Sequence, residues 1–323
     1  MPALSVPPGV EGIARLTELP DDDWRDRWDR IFVPAAVKER LLNYVLFALR
    51  HRTRVSEIGL GIHGLIVLAG PPGTGKTTLA GGLADQAARV AGAGPLLFVD
   101  VNPHAFPSQL LGESQRSVAR LFERTIPDLA RRGHPTVVLL DEVESIAVDR
   151  SGASLETNPV DVHRSTHATL SGIDAVARAW PNVAFVATTN FRAGIDPAFL
   201  SRADLVQEMG LPGAEAIASI LADTLAELGS SSGTATGDGN GRRNGHALEA
   251  KALRALADGC ATAGLDARQV RKLVIRAACS SRDLALAPER ITVADVAAEL
   301  EGLLGDADVQ GSGPGTRAGG PDR

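Results

Sequence analysis

Residues 70–77 read GPPGTGKT and lie between a short apolar run, residues 64–69, and a stretch with helical spacing that begins at Thr78. Glycines in such a loop let backbone N–H groups surround anionic oxygens, because no side chain stands in the way. A helix that starts directly behind the loop adds the positive end of its dipole. The segment therefore restricts the chain to folds that place a strand, a phosphate-binding loop and a helix in this order. It predicts a nucleoside triphosphate site.

The residues of this loop have distinct expected roles. Lys76 brings a positive charge to the β- and γ-phosphates, and the Thr77 hydroxyl can coordinate Mg²⁺. The predicted nucleotide-binding residues of the segment are consecutive: Gly70, Pro71, Pro72, Gly73, Thr74, Gly75, Lys76, Thr77 and Thr78.

A pair of carboxylates follows another apolar run. Residues 136–140 read TVVLL, and Asp141 and Glu142 come directly after them, 65 residues beyond Lys76. Asp141 can hold Mg²⁺ through water, and Glu142 can act as the general base on the attacking water. Two acids after a strand are often only a solvated turn. Their place after a phosphate-binding loop, with one further strand between, favours the catalytic interpretation.

Asn190 ends a third apolar run, in the sequence ATTN of residues 187–190. Its amide can bond both the γ-phosphate and the lytic water. A polar residue at a strand end is commonly just a turn former. Because this strand belongs beside the other two in the sheet, the functional role is favoured.

Apolar runs alternate with helical stretches up to about residue 212, which is typical of an α/β fold with a parallel sheet covered on both faces. From Gly213 onward the pattern is helical throughout. The predicted domains are a flexible N-terminal segment (1–24), a large ATPase domain (25–212), a helical lid (213–304) with a disordered insertion (229–245), and a disordered tail (305–323).

Composition limits the partners. The net charge is −6 and no basic block stands out, which argues against nucleic acid or an anionic membrane as a direct partner. The chain has two cysteines without metal-type spacing, no apolar run of membrane-spanning length and no signal-peptide pattern at its start. The expected location is the cytoplasm.

The motifs GPPGTGKT, VVLLDEVES and ATTN, followed by a helical region, resemble the AAA+ ATPases in order and spacing over residues 25–304. The resemblance implies a five-stranded αβα core, a small all-α lid, and ATP with Mg²⁺ bound at a subunit boundary of a homo-hexamer. It also implies an arginine that reaches the neighbouring subunit's site.

The resemblance points to two arginines. Arg202, in FLSRAD, matches the residue that acts in trans, and a planar guanidinium that is always charged suits a phosphoryl transition state. The alternative for Arg202 is that it is an ordinary surface arginine before a strand. Arg268, at the start of a lid helix, matches the sensor that couples the lid to the nucleotide, and Arg271 is the alternative for this role.

A narrower resemblance rests on DEVES (141–145), FLSRAD (199–204) and LDARQVRK (265–272), which look like the remodellers of HORMA-domain proteins, the pachytene checkpoint and thyroid-receptor-interacting protein family. That family implies a ring that pulls the N-terminal segment of a HORMA protein through its pore. Only about 30 residues precede the core here, too few for the adaptor-binding domain of eukaryotic members. This resembles the bacterial members that serve cyclic-oligonucleotide antiphage signalling.

The position of the substrate-gripping pore loop reads Gln109, Leu110 and Leu111, where an aromatic pair often stands. Leucine can still grip an extended peptide by apolar contact, with less rigid area than an aromatic ring. A buried loop anchor is the alternative. Two function classes therefore stay open: a hexameric ATPase that pulls on a protein, and an ATP-gated assembly switch that threads nothing. A protease-linked unfoldase is disfavoured, because no H-E-x-x-H motif follows the lid.

Overall fold

The computed structural model describes residues 12–92, 94–102, 106, 113–147, 159–229 and 242–311. The chain divides into two units, one ending at Gly210 and the other beginning at Leu211. The observed boundary lies two residues before the predicted one, which was placed between residues 212 and 213. No helix in the described ranges is long and apolar enough to cross a membrane.

A six-stranded sheet in the order β1-β3-β4-β5-β2-β6 forms the centre of the first unit. Its strands are β1 (Ile13–Leu19), β2 (Leu65–Ala69), β3 (Leu96–Val101), β4 (Thr136–Leu140), β5 (Val183–Thr189) and β6 (Leu205–Glu208). All neighbours are parallel except β1, which runs antiparallel to β3. The predicted α/β fold and its five parallel strands are confirmed.

Helices lie on both faces of this sheet. They are α1 (Asp22–Asp29), α2 (Ala35–Glu57), α3 (Lys76–Ala91), α4 (Glu113–Arg120), α5 (Ile126–Ala130), α6 (Pro159–Ala179) and α7 (Pro197–Leu200). A π-helical turn, Leu121–Thr125, joins α4 to α5 just before Pro127, which lacks the N–H that an uninterrupted helix needs.

The sheet separates two apolar clusters. Leu65 and Val67 of β2 belong to one of them, and Ile66 and Leu68 belong to the other. Successive strand residues point to opposite faces, so a strand that is apolar at every position must be covered on both sides. All five residues of β2 are buried, and this places the loop that follows β2 on a rigid support.

The N-terminal region differs from the prediction of a flexible segment over residues 1–24. Residues 13–19 form the edge strand β1, with Leu16 and Leu19 only 2% and 1% exposed, and α1 begins at Asp22. A register shift between Ile13 and Arg15 breaks the apolar alternation that marks a strand in a sequence. Residues 1–11 lie outside the described ranges.

Helix α1 packs directly on α3, the helix that follows the phosphate-binding loop. A Cβ atom on Gly81 would lie 2.3 Å from the Trp24 ring, so only glycine permits this close approach. The buried carboxylate of Asp85 accepts hydrogen bonds from the Asp21 N–H at 2.8 Å and from Arg89 Nε at 2.7 Å. The N-terminal region thus helps to hold α3 in place.

The second unit is helical, as predicted for a lid. Its helices are α8 (Ala214–Gly229), α9 (Arg242–Thr262), α10 (Ala267–Ala278), α11 (Arg282–Leu286) and α12 (Val293–Gly311). Buried residues of α8, α9, α10 and α12, such as Leu221, Cys260, Val274 and Val296, form its apolar core.

The structure differs from two of the boundaries predicted for this unit. Helix α12 continues to Gly311, so the start of the predicted disordered tail at residue 305 is wrong. Helix α9 begins at Arg242, inside the predicted insertion of residues 229–245, and α8 still includes Gly229. Residues 230–241 and 312–323 lie outside the described ranges.

Candidate functional site

The glycine-rich loop lies at the carboxyl end of β2. Gly70, Gly73 and Gly75 have positive φ angles of 154°, 78° and 86°. A Cβ atom on Gly70 would lie 2.1 Å from the Met209 carbonyl oxygen, so this position excludes every side chain. Gly75 precedes α3 and offers no side-chain cap. The first-turn N–H groups of α3 therefore lack a capping side chain, which is the arrangement that receives a phosphate.

Lys76 is the first residue of α3 and is only 6% exposed. Its Nζ atom donates to the carbonyl oxygens of Gly70 and Pro71, both at 2.8 Å, and to Asn190 Oδ1 at 2.8 Å. The ammonium group thus connects the loop to the end of β5. Its charge is available to the anionic tail of a nucleotide that enters the loop.

Two oxygen ligands suited to Mg²⁺ meet beside the loop. Thr77 Oγ1 donates to Asp141 Oδ1 at 2.9 Å. Burial and the negative charge of Asp141 raise the pKa of Asp100, on neighbouring β3, to about 6. The Thr77 hydroxyl and the Asp141 carboxylate, which are in contact, form a donor set that fits Mg²⁺.

The predicted general base and the predicted sensor are in contact. Asn190 Nδ2 donates to Glu142 Oε1 at 3.2 Å, while Asn190 Oδ1 accepts from Lys76. Glu142 has φ 51° and ψ 54°, so its side chain leaves the end of β4 in a direction that an ordinary extended residue would not take. The structure thus brings together Lys76, Thr77, Asp141, Glu142 and Asn190, as the motif order predicts.

Three residues of this site were not predicted as functional. Thr188 Oγ1 contacts Asp141 Oδ1 at 2.5 Å and the Glu142 N–H at 3.0 Å. Glu144 Oε1 accepts the Asn190 N–H at 3.1 Å, and Ser145 Oγ donates to the Glu142 carbonyl at 2.9 Å. Their places in ATTN and DEVES were visible in the sequence, but nothing there showed that the two segments bond to each other.

Arg202 lies away from this site in the same chain. Its Nε and Nη2 atoms bind the two carboxylate oxygens of Asp174 on α6, at 2.7 and 2.8 Å, and these hydrogen bonds raise the pKa of Arg202. Arg202 precedes β6, whereas Gly70 follows the neighbouring parallel strand β2, so the two residues lie at opposite ends of this strand pair. The two ends of β6 are about 13 Å apart along the strand. Arg202 therefore does not join the loop within one chain.

The remaining predicted site residues belong to separate regions. Arg268 is exposed in the first turn of α10, which a capping box of Asp266 and Gln269 opens. It belongs to the second unit, as does Arg271. The predicted pore-loop residues Gln109, Leu110 and Leu111 lie outside the described ranges.

A parallel sheet with a glycine-rich loop after one strand, two carboxylates after a second and an asparagine after the strand between them defines a P-loop ATPase domain. The model of the ATPase family associated with various cellular activities (AAA) matches residues 66–211. CD-NTase-associated protein 6 of Pseudomonas aeruginosa is 42% identical over 283 residues, which cover 88% of this chain and 89% of that protein. The chain belongs to the AAA ATPases, in the family of CD-NTase-associated protein 6, and it is similar to the pachytene checkpoint protein 2 homologs.

Other comparisons agree with this group. The pachytene checkpoint protein 2 homolog of Danio rerio is 34% identical over 218 residues, 66% of this chain and 50% of that protein, so the chain spans about half of that relative. The structure of C. elegans PCH-2 has a TM-score of 0.71 at 25% identity and covers 91% of this chain and 76% of that one. A chain from the E. coli MS115-1 HORMA:CdnC:Trip13 complex has the same fold, with a TM-score of 0.71 at 19% identity over 92% of this chain and 97% of that one.

Proposed function

We propose that this chain hydrolyses ATP to convert a HORMA-domain protein, by pulling the partner's N-terminal segment through the pore of a homo-hexamer. The observation that carries the ATPase part is the continuous contact from Lys76 through Asn190 to Glu142. The E. coli MS115-1 complex, which contains a HORMA protein beside Trip13, supports the choice of partner. The relative named as CD-NTase-associated supports a role in bacterial antiphage cyclic-nucleotide signalling. We propose the cytoplasm as the place of this activity.

We assign one role in hydrolysis to each of these residues. Lys76 and the first-turn N–H groups of α3 bind the phosphate oxygens and neutralise their charge. Thr77 and Asp141 would hold Mg²⁺, which when bound stabilises charge on the β- and γ-phosphates. Glu142 accepts a proton from the attacking water. At the same time the water oxygen bonds to the γ-phosphorus, and the bond between the γ-phosphorus and the ADP oxygen breaks. Asn190 donates to Glu142 and keeps that carboxylate directed at the water.

Arg202 completes the proposed site from the neighbouring subunit. Its guanidinium would stabilise the charge that develops on the transferred phosphoryl group. The ion pair with Asp174 supports this role, because it fixes the position of a long side chain in the subunit that donates it.

A mixing experiment tests the action of Arg202 in trans. Rings of Arg202→Ala subunits and rings of Lys76→Ala subunits are each expected to lack hydrolysis. Mixed rings are expected to recover part of it, because some interfaces then pair an intact Lys76 with an intact Arg202. Turnover is measured after the composition of the mixed rings has been confirmed by mass.

The matched control replaces Arg131, whose ion pair with Asp128 is exposed. Arg131→Ala subunits are expected to hydrolyse ATP normally, alone or mixed, because an exposed pair contributes little. Mixed Arg202→Ala and Lys76→Ala rings without any recovery would show that Arg202 acts within its own subunit or is only structural.

The threading step depends on residues 109–111. We expect Leu110→Asp to abolish remodelling of a HORMA protein and any partner-stimulated ATP hydrolysis, because a charge replaces the apolar contact to an extended chain. Basal hydrolysis is expected to stay within a few-fold of wild type. A pulling assay with a tethered HORMA partner and an ATPase assay without it measure the two activities.

The control for the added charge is Leu286→Asp, because Leu286 is 78% exposed. If Leu110→Asp lowers basal hydrolysis and remodelling together, Leu110 is a structural anchor. If remodelling survives, threading is wrong for this protein. The ATP-gated assembly switch then becomes the better proposal.

A further inference from the structure

Glu142, the proposed general base, has an unusual backbone conformation. Among the residues that the structure describes, it is the one non-glycine residue with a positive φ. A residue with a Cβ adopts the left-handed region at a cost in free energy, so the surrounding contacts must hold it there. The contacts that hold this backbone also determine where the Glu142 carboxylate points.

Thr188, on the neighbouring strand β5, supplies one of these contacts. Its Oγ1 accepts the Glu142 N–H at 3.0 Å and donates its own proton to Asp141 Oδ1 at 2.5 Å. The side chain is 1% exposed, and its branched Cβ restricts rotation about χ1. One hydroxyl therefore connects the backbone of the general base to the carboxylate of the predicted magnesium ligand.

Contacts to the Glu142 carbonyl come from its own turn. Ser145 donates its N–H and its hydroxyl to this carbonyl, at 3.0 and 2.9 Å. These bonds shape the turn after β4 but do not fix its orientation relative to the rest of the sheet. Thr188, 46 residues away in sequence, connects the turn to β5, the strand that Asn190 directly follows.

We infer that Thr188 is a positioning residue for hydrolysis, whose hydroxyl sets the direction of the Asp141 and Glu142 carboxylates; this rests on the proposed ATPase function. The role needs a group that accepts and donates at the same time. A hydroxyl does both, and valine, with nearly the same shape, does neither. Thr188→Val would leave the Glu142 N–H without this acceptor and Asp141 without this donor.

The experiment compares Thr188→Val with Thr188→Ser in the full-length protein. We expect Thr188→Val to lower kcat by about 10-fold or more, because partners of metal ligands and small displacements of catalytic groups have effects of this size. The affinity for ADP measured in EDTA is expected to stay within about 2-fold, while the gain in affinity on adding Mg²⁺ shrinks by about 10-fold. Thr188→Ser keeps the hydroxyl and is expected to restore most of both quantities.

Thr166→Val is the matched control. Thr166 is fully buried on α6, and its hydroxyl has no hydrogen-bond partner within the described ranges, so its loss is expected to leave kcat and the Mg²⁺ effect unchanged. If Thr188→Val is too unstable to fold, Thr188→Ala compared with Thr188→Ser tests the same hydroxyl.

Three results would overturn the inference. The first is a Thr188→Val variant with unchanged kcat and an unchanged Mg²⁺ effect. The second is a loss of ADP affinity in EDTA in Thr188→Val, which would indicate a structural role, and the third is a Thr188→Ser variant that is as defective as Thr188→Val. A wild-type protein without ATPase activity would contradict the proposed function instead. The Mg²⁺ dependence of ADP binding would then still test whether Thr188 positions Asp141.

Discussion

Glu142→Gln is expected to lower ATP hydrolysis by about 10²-fold or more while nucleotide binding and ring assembly persist. Glutamine keeps the size and polarity of the side chain but cannot accept a proton from water. The left-handed backbone at residue 142 and its contact with Thr188 do not involve the carboxylate, so the substitution leaves them intact. Single-turnover hydrolysis and equilibrium binding of ATP separate the two effects.

The control for this substitution is Glu123→Gln, at an exposed position of the π-helical turn before α5. It makes the same chemical change away from the site and is expected to leave turnover unchanged. Near-normal turnover in Glu142→Gln would remove Glu142 from the role of general base. The neighbouring carboxylate of Glu144, which holds the Asn190 N–H, would then be the next residue to test.

Lys76→Ala is expected to abolish nucleotide binding itself, with affinity lower by about 10²-fold or more, because charge-assisted hydrogen bonds to the β- and γ-phosphates are lost. The substitution also removes the donor that Gly70, Pro71 and Asn190 share, so the loop loses its connection to the end of β5. The variant is expected to show no rise in melting temperature when ATP is added, whereas the wild type rises by mass action.

Lys251→Ala is the matched control, because Lys251 is an exposed lysine of α9 in the second unit. It is expected to keep the full thermal shift with ATP. A normal shift in Lys76→Ala would mean that the backbone N–H groups alone carry the binding. The nucleotide-free melting temperature of each variant shows whether the change has damaged the fold.

Local signals account for the parts of the structure that were predicted correctly. The five parallel strands are short apolar runs bounded by turns or helices, and residues buried on both faces leave this pattern in any sequence. The edge strand β1 was missed because its register shift breaks the alternation and because it follows a segment rich in proline and glycine. The end of α12 was misplaced because glycines after Leu304 suggested a break that the helix does not make.

The amino-acid sequence by itself determined the phosphate-binding loop, the carboxylates Asp141 and Glu142, and Asn190, because each depends on residue types within a few positions of a strand end. Only the tertiary structure decided how they meet. Lys76 reaches Asn190 across 114 residues, and Thr188 reaches Asp141 across 47. It also decided that Arg202 is held by Asp174, 28 residues away, and not by the loop. Contacts of this kind follow from strand order and register, which bring the carboxyl ends of β2, β4 and β5 to one edge of the sheet.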